Sequence, residues 1–281
     1  MRQLSIAALV VLLLGCQTEA PPEDEVIRER LEATDGGRLI LRAINAAGGI
    51  RAWLDAPTSS YTWDFGSDNF LVRSHLVANN RTRQIYHDLL AMGSRREPIA
   101  LDAQMAWDGA DAWVYPDTVQ INPRFWASTA YYFQSIPFVL ADAGTRYEVL
   151  PDESLDGVSH QMVKVSYDDD VGDSYGDTYT LYVHPETGRV SAIRYRSTYG
   201  RGRPDTQGRE TLMRFLEYQT FDGLTVPTRF ESYSFAGGEQ DTTLRATATA
   251  SDISFRAPFD EGRLVMPEGG RVEPFNLRVN E

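Results

Sequence analysis

Three groups of residues have the types and spacing that binding or chemistry needs. The first is the acidic run Asp168-Asp169-Asp170-Val171-Gly172-Asp173, followed by Asp177. Calcium takes hard oxygen ligands at close spacing with a glycine for the turn. The helix-loop-helix calcium site also needs a closing glutamate, and none stands there. A solvated loop tip is therefore the preferred reading and no metal is expected; Asp168, Asp170 and Asp173 come nearest to a metal site. The second group is the four histidines His75, His87, His160 and His184. Zinc wants His or Cys clustered at short spacing. His75 and His87 fall in neighbouring expected strands and could meet, but structural or surface roles are preferred. A Ser-His-Asp set can be picked from any chain of this size, so no catalytic residue is assigned and no cofactor is expected.

The third group is aromatic: Trp107, Trp113, Phe125, Trp126, Tyr131, Tyr132, Phe133 and Phe138. Rings of this kind can line a dry groove for an apolar molecule, with Tyr or Trp holding the wet end. They can equally be the core beneath a sheet, and some can serve both purposes. One further residue stands apart. Cys16 is the single cysteine in 281 residues, and a thiolate is a nucleophile.

Composition bounds what these groups can do. The net charge is −13, with 42% hydrophobic and 24% charged residues, which is ordinary for a globular chain and wrong for a disordered one. The acidic balance argues against nucleic acid, because phosphate binding needs a basic footprint. With no second cysteine there is no intrachain disulfide, so stability must come from a packed core.

Cys16 closes an apolar run over residues 4–14 that starts just after Arg2. The run is too short for a bilayer, which needs about 20 residues, and fits the apolar region of a secretory signal. Leu13-Leu14-Gly15-Cys16 resembles the bacterial lipobox. That resemblance implies a signal peptide over residues 1–15, diacylglycerol and further acyl chains on Cys16, and a lasting membrane anchor. Gln17, where enteric lipoproteins retained in the inner membrane carry Asp, leans toward the outer membrane facing the periplasm.

Residues 16–35 are expected as a tether, polar and Pro-bearing at 17–25. Leu39, Ile40, Ala43, Ile44 and Ala47 recur at helical spacing, with Gly36-Gly37 separating a short charged helix from this apolar one and Gly48-Gly49 stopping it. Alternation then marks strands at 59–65, 70–78, 82–89, 99–107, 112–115, 146–150, 158–167, 178–184, 189–199, 210–221, 224–235 and 242–255. Asp108-Gly109, Asp156-Gly157, Asp222-Gly223 and Gly237-Gly238 supply turns. Pro137 must end or kink any helix in 124–141. The last strand alternates Leu244, Ala246, Ala248 and Ala250 on one face. A face so small requires a bulky neighbour, a void or a ligand against it, so Ala246 and Ala248 join the candidate ligand residues. On that reading, tryptophan at either would expel a bound lipid.

From 38 to 255 the chain resembles the LolA-like superfamily of bacterial envelope lipid and lipoprotein carriers. Within it, the chain is most similar to a group of uncharacterised outer-membrane-type lipoproteins (DUF6503-like). The resemblance rests on the lipobox and on motif order: Gly48-Gly49 then Trp53; Trp107-Asp108-Gly109 then Trp113; Tyr131-Tyr132-Phe133; Pro137-Phe138; 142–144; Gly172-Asp173, Asp177, Tyr179 and His184-Pro185-Glu186-Thr187-Gly188; Asp222-Gly223-Leu224 then Val226-Pro227-Thr228. It implies a mainly β, α+β fold: an incomplete antiparallel barrel wrapped round a helical plug, one domain over 36–281. In the characterised carriers the concave face binds an acyl chain, so the partners implied are a lipid or an acylated protein, without catalysis. The rival expectation is a scaffold whose barrel is filled by its own side chains; an envelope hydrolase ranks third.

Overall fold

Two-residue turns set the hairpins of this protein. Asp156-Gly157 and Asp222-Gly223 take positive φ at both positions (54° and 79°; 51° and 90°), the geometry that matches the twist of the flanking strands. The computed structural model describes residues 22–168, 176–196, 199, 210–236 and 239–274, and the side chains of all of these but 236–242. Cys16, the apolar run before it, Asp170, Asp173 and Gly237-Gly238 lie outside the described residues.

The strands are β1 (Thr58–Gly66), β2 (Leu71–Asn79), β3 (Ile85–Gly93), β4 (Pro98–Trp107), β5 (Ala112–Tyr115), β6 (Thr145–Leu155), β7 (Val158–Tyr167), β8 (Thr178–Val183), β9 (Val190–Arg196), β10 (Glu210–Phe221), β11 (Leu224–Ala236), β12 (Glu239–Ser254) and β13 (Arg271–Glu273). They form one 13-stranded sheet in the order β13-β5-β4-β3-β2-β1-β12-β11-β10-β9-β8-β7-β6. Every pairing is antiparallel, and β6 and β13 remain edges, so the barrel does not close. The halves join where β12 returns to pair with β1, Trp63 opposite Ala250 and Phe65 opposite Ala248.

Alternation located twelve of these strands, with ends shifted by a few residues. It missed β13, which at three residues is too short to show a period and exists through pairing with β5. It also stopped β6 at residue 150; the strand runs on to Leu155 past a register shift.

The helices are α1 (Glu23–Glu32), α2 (Asp35–Ala46), α3 (Ile50–Leu54) and α4 (Pro123–Gln134), with a 3-10 turn at Phe138–Ala141. Helix α1 corrects the expected tether from Glu23 onward. Its first turn carries Glu23, Asp24 and Glu25, which suit a helix N-terminus, and Leu31 is fully buried. The break between α1 and α2 also falls earlier than expected. Thr34 caps α2 by accepting from the Gly37 amide at 3.0 Å, so Gly36 and Gly37 lie inside the first turn. Gly36 has a packing reason there: a Cβ would stand 2.6 Å from Cβ of Tyr147 on β6. At the other end Gly48, at φ 120°, would place a Cβ 2.5 Å from the Gly223 carbonyl, where the Thr225 amide donates to Ala47 O at 2.9 Å. Helix α2 is thus clamped between β6 and the β10–β11 turn. Ile40, Ala43 and Ile44 enter a core that runs to Phe230 and Phe255 on the concave face. No helix among the described residues is long and apolar enough to cross a membrane.

Candidate functional site

Helix α4 forms one wall of the site. The Asn122 side chain caps it by accepting from the Phe125 amide at 2.9 Å, and Pro123 opens the first turn, where its missing N–H costs nothing. Two buried side chains pin it to the sheet. His87 on β3 donates from Nε2 to the Ala127 carbonyl at 2.9 Å while Nδ1 accepts from the Ser74 hydroxyl at 3.0 Å. Gln134 donates from Nε2 to the Pro227 carbonyl at 3.1 Å. Burial holds the His87 imidazole down at about 4, so it is neutral and this tautomer is the one the bonds require.

Between α4 and the concave face lies a cavity of ≈ 370 Å³, within the about 300–1,000 Å³ typical of ligand pockets. Its walls are mostly rings. Phe65, Trp107, Phe125 and Trp126 line one side; Tyr131, Tyr132 and Phe133 follow along α4; Tyr167, Tyr179, Tyr195 and Tyr199 face them. The rings interlock. Phe65 and Trp126 lie 5.9 Å apart, Tyr132 and Tyr179 4.9 Å, Phe133 and Tyr195 5.0 Å, and Tyr179 stacks on Tyr195 at 6.0 Å. Burial pushes the Tyr131 and Tyr195 phenols up to about 12. It pushes Tyr167 and Tyr179 up as well, with the charge of Asp177 adding to both. The phenols therefore stay neutral at physiological pH, and the wall offers hydroxyls rather than charge.

Charge enters at a few points: Arg83, Asp142, Arg124 and Asp177. Arg83 donates from Nη1 to the Tyr131 hydroxyl and from Nη2 to both Asp142 oxygens, at 2.6 and 2.9 Å. Arg124 is buried in the first turn of α4 and donates to the Ala110 carbonyl at 2.8 Å. Such an arrangement can take up an apolar body and hold a polar end.

Of the residues singled out from sequence, Trp107, Trp126, Tyr131, Tyr132 and Phe133 come together in this cavity, with Phe125. Trp113 does not. Trp107 pairs with Ala112, so Trp113 leaves from the other face. There it packs with Val77, Tyr86 and Ala106 and donates from Nε1 to the Leu264 carbonyl at 2.8 Å. Phe138 stacks on Trp53 and lines a second cavity. Ala246 and Ala248 are buried but do not line the aromatic cavity. Ala248 lies in the sheet between Phe65 and Phe230, so these flanking rings supply the bulk that the small face requires. Sequence reading missed Phe65, Tyr167, Tyr179 and Tyr195, whose signal was the apolar face of each strand.

The polar candidates disperse. Asp168 pairs with Arg146. His75 stands opposite Asp88 and His87 opposite Leu76, so the two rings leave from opposite faces and cannot share a metal. His160 bonds to the Val158 carbonyl and Ser191, 5.6 Å from the His184 ring. Among the described residues no three His, Cys, Asp or Glu side chains are grouped to hold a metal. The run Gly172-Asp173-Ser174-Tyr175-Gly176 matches the spacing of a nucleophile elbow; its residues 172–175 lie outside the described residues.

No protein-family model and no curated protein matches the chain. Solved structures do. A LolA superfamily protein from Nitrosomonas europaea superposes with a TM-score of 0.53 at 12% identity, over 83% of this chain and 98% of its own. The fold is LolA-like. A DUF1329 family protein from Desulfovibrio piger gives a TM-score of 0.50 at 10% identity over 83% of this chain and 98% of its own. A domain of the outer-membrane lipoprotein-sorting type from Vibrio parahaemolyticus gives 0.49 at 13%, over 85% and 94%. In this LolA-like half-barrel, the cavity lies on the concave side, under α4.

Proposed function

We propose that the protein is a lipid-anchored bacterial envelope protein of the DUF6503-like kind. It binds an apolar ligand, a lipid or the acyl chain of a lipoprotein, inside the half-barrel and performs no catalysis on it. One observation carries this reading: the aromatic cavity of ≈ 370 Å³ between α4 and the concave face. Its affinity would come from burial, at about 25 cal/mol per Å² of apolar surface. The anchor would be acyl chains on Cys16, each methylene contributing about 0.8 kcal/mol, after loss of residues 1–15. The domain, which α1 joins from Glu23 onward, would stand in the periplasm, tethered to the outer membrane.

The scaffold reading has its own support. Around β1, β11 and β12 the barrel is filled by its own rings, with Trp63 5.0 Å from Phe230 in edge-to-face contact. The test is a chain starting at Gln17, purified gently and weighed in native and denaturing mass spectra, with extraction of any bound lipid. A stoichiometric extra mass supports the ligand-binding reading. A clean protein mass, unchanged after incubation with phospholipid or acylated peptide, overturns it in favour of the scaffold.

A further inference from the structure

Arg83 and Asp142 line two cavities at once. They stand at the end of the aromatic cavity and also border a second one of ≈ 240 Å³ beneath α1. The two chambers differ in character. The second mixes Ile27, Ile44 and Trp53 with Glu23, Arg81 and Asn80, so the chain passes from an aromatic chamber to a polar one across the Arg83–Asp142 pair.

The backbone around this pair is held on both sides, while among the described residues the Asp142 carboxylate hydrogen-bonds to Arg83 alone. Arg83 is a non-glycine residue at φ 64°, a conformation that costs free energy and that the surrounding turn must hold. The Asn79 side chain holds it, accepting from the amides of Arg81 and Thr82 at 2.9 and 3.1 Å. The guanidinium lies 5.7 Å from the centre of the Tyr131 ring and bonds to its hydroxyl. On the other side, Arg30 donates to the carbonyls of Ala141 and Asp142, and Thr145 donates to Asp142 O at 2.8 Å. The Asp142 side chain, 47% exposed, can turn into solvent without disturbing those bonds. An arginine fork matches a carboxylate or a phosphate equally well.

We propose that the ligand is an anionic amphiphile whose carboxylate or phosphate docks on Arg83 in place of the Asp142 carboxylate, with its tail in the aromatic cavity. This rests on the ligand-binding reading above and adds to it the charge and position of the polar end. Asp142 is then an internal stand-in for the headgroup, satisfying Arg83 until the ligand arrives.

The test uses the full chain in a non-ionic detergent and two photoactivatable probes with the same diazirine-bearing sixteen-carbon tail, one a fatty acid and one the fatty alcohol. Labelling is mapped to the α4 peptide for the wild type, Arg83→Gln and Asp142→Asn. The acid should label α4 about tenfold more than the alcohol, the ratio that one charge-assisted bond supplies. Arg83→Gln should bring the two probes level while alcohol labelling persists, and Asp142→Asn should raise acid labelling. A destabilised variant would not produce that rise. Equal labelling by both probes in the wild type overturns the headgroup assignment and leaves the cavity reading standing. No labelling of α4 by either probe removes the cavity reading itself. Lysophosphatidate should displace the acid probe and inorganic phosphate should not; displacement by inorganic phosphate alone would make this a free-anion site and overturn the amphiphile.

Discussion

The indole of Trp53 stacks on the ring of Phe138, centroids 4.6 Å apart and planes 3° from parallel. Trp53 belongs to α3 and Phe138 to the 3-10 turn beyond α4, so this contact joins the N-terminal helices to the segment that continues the cavity wall. Phe255 meets the same indole edge-on at 6.4 Å. Trp53→Ala should cost about 3–5 kcal/mol, as expected for a buried ring, read as a lowered denaturation midpoint. A loss below about 1 kcal/mol would show that the helices do not depend on this stack.

His87 makes stability pH-dependent. Burial is the main cause of its low value; the Ala127 carbonyl and Asp88 oppose the fall, and His75 adds to it. The folded value, about 4, lies below the ordinary 6.5, so the unfolded chain binds the proton first. The stability from neutral His87 is full above pH 6.5 and is lost progressively as pH falls toward 4, to a total of about 3 kcal/mol. Urea unfolding of wild type and His87→Gln at pH 7.5 and 4.5 isolates the effect, since other groups titrate in both. The wild type should lose more on acidification.

Gly36→Ala should destabilise by about 1–3 kcal/mol through overpacking, because the new methyl meets Cβ of Tyr147 at 2.6 Å and neither α2 nor β6 can yield at the tip of a side chain. The same change at Gly157, where nothing lies within 4 Å, brings only the strain of a positive φ. Thermal melts of the two variants should rank Gly36→Ala as the less stable.

Ser128 is exposed, yet it lines the aromatic cavity from α4. Ser128→Trp should reduce bound or copurifying lipid severalfold while changing stability by no more than about 0.5 kcal/mol, as surface changes do. Ala248→Trp tests a different property. It drives an indole between Phe65 and Phe230 and should lower stability by about 1–3 kcal/mol through overpacking. If Ser128→Trp retains lipid at the wild-type level, the ligand is not in this cavity.

Trp113 on β5 is covered by a strap. The segment after β12 brings Phe259 within 5.3 Å of Tyr86 and Arg263 onto Asp88 at 2.5 Å, on the face opposite the cavity. Removing residues 256–281 should therefore expose Trp113 and shift its fluorescence to the red. Ligand binding measured on the same truncated chain should be retained.

Local chemistry was legible in the sequence. Alternation and Asp-Gly pairs placed the strands and their turns because side-chain period and positive φ are properties of a few adjacent residues. Pro137 ended α4 for the same reason, and Trp126, Tyr131, Tyr132 and Phe133 were found because they share one helix. Pairing and position depended on the tertiary structure. Only the register of β4 against β5 separates Trp107 from Trp113, and only the return of β12 to β1 sets Ala248 between two rings. Tyr167, Tyr179 and Tyr195 reach α4 through three neighbouring strands, and Arg83 in the β2–β3 turn meets Asp142 beyond the 3-10 turn. These are contacts between residues far apart in the chain, decided by which faces the whole sheet buries. The single cysteine at the end of its apolar run speaks from sequence alone, whereas the cavity exists only once strands from both halves of the sheet have met around α4.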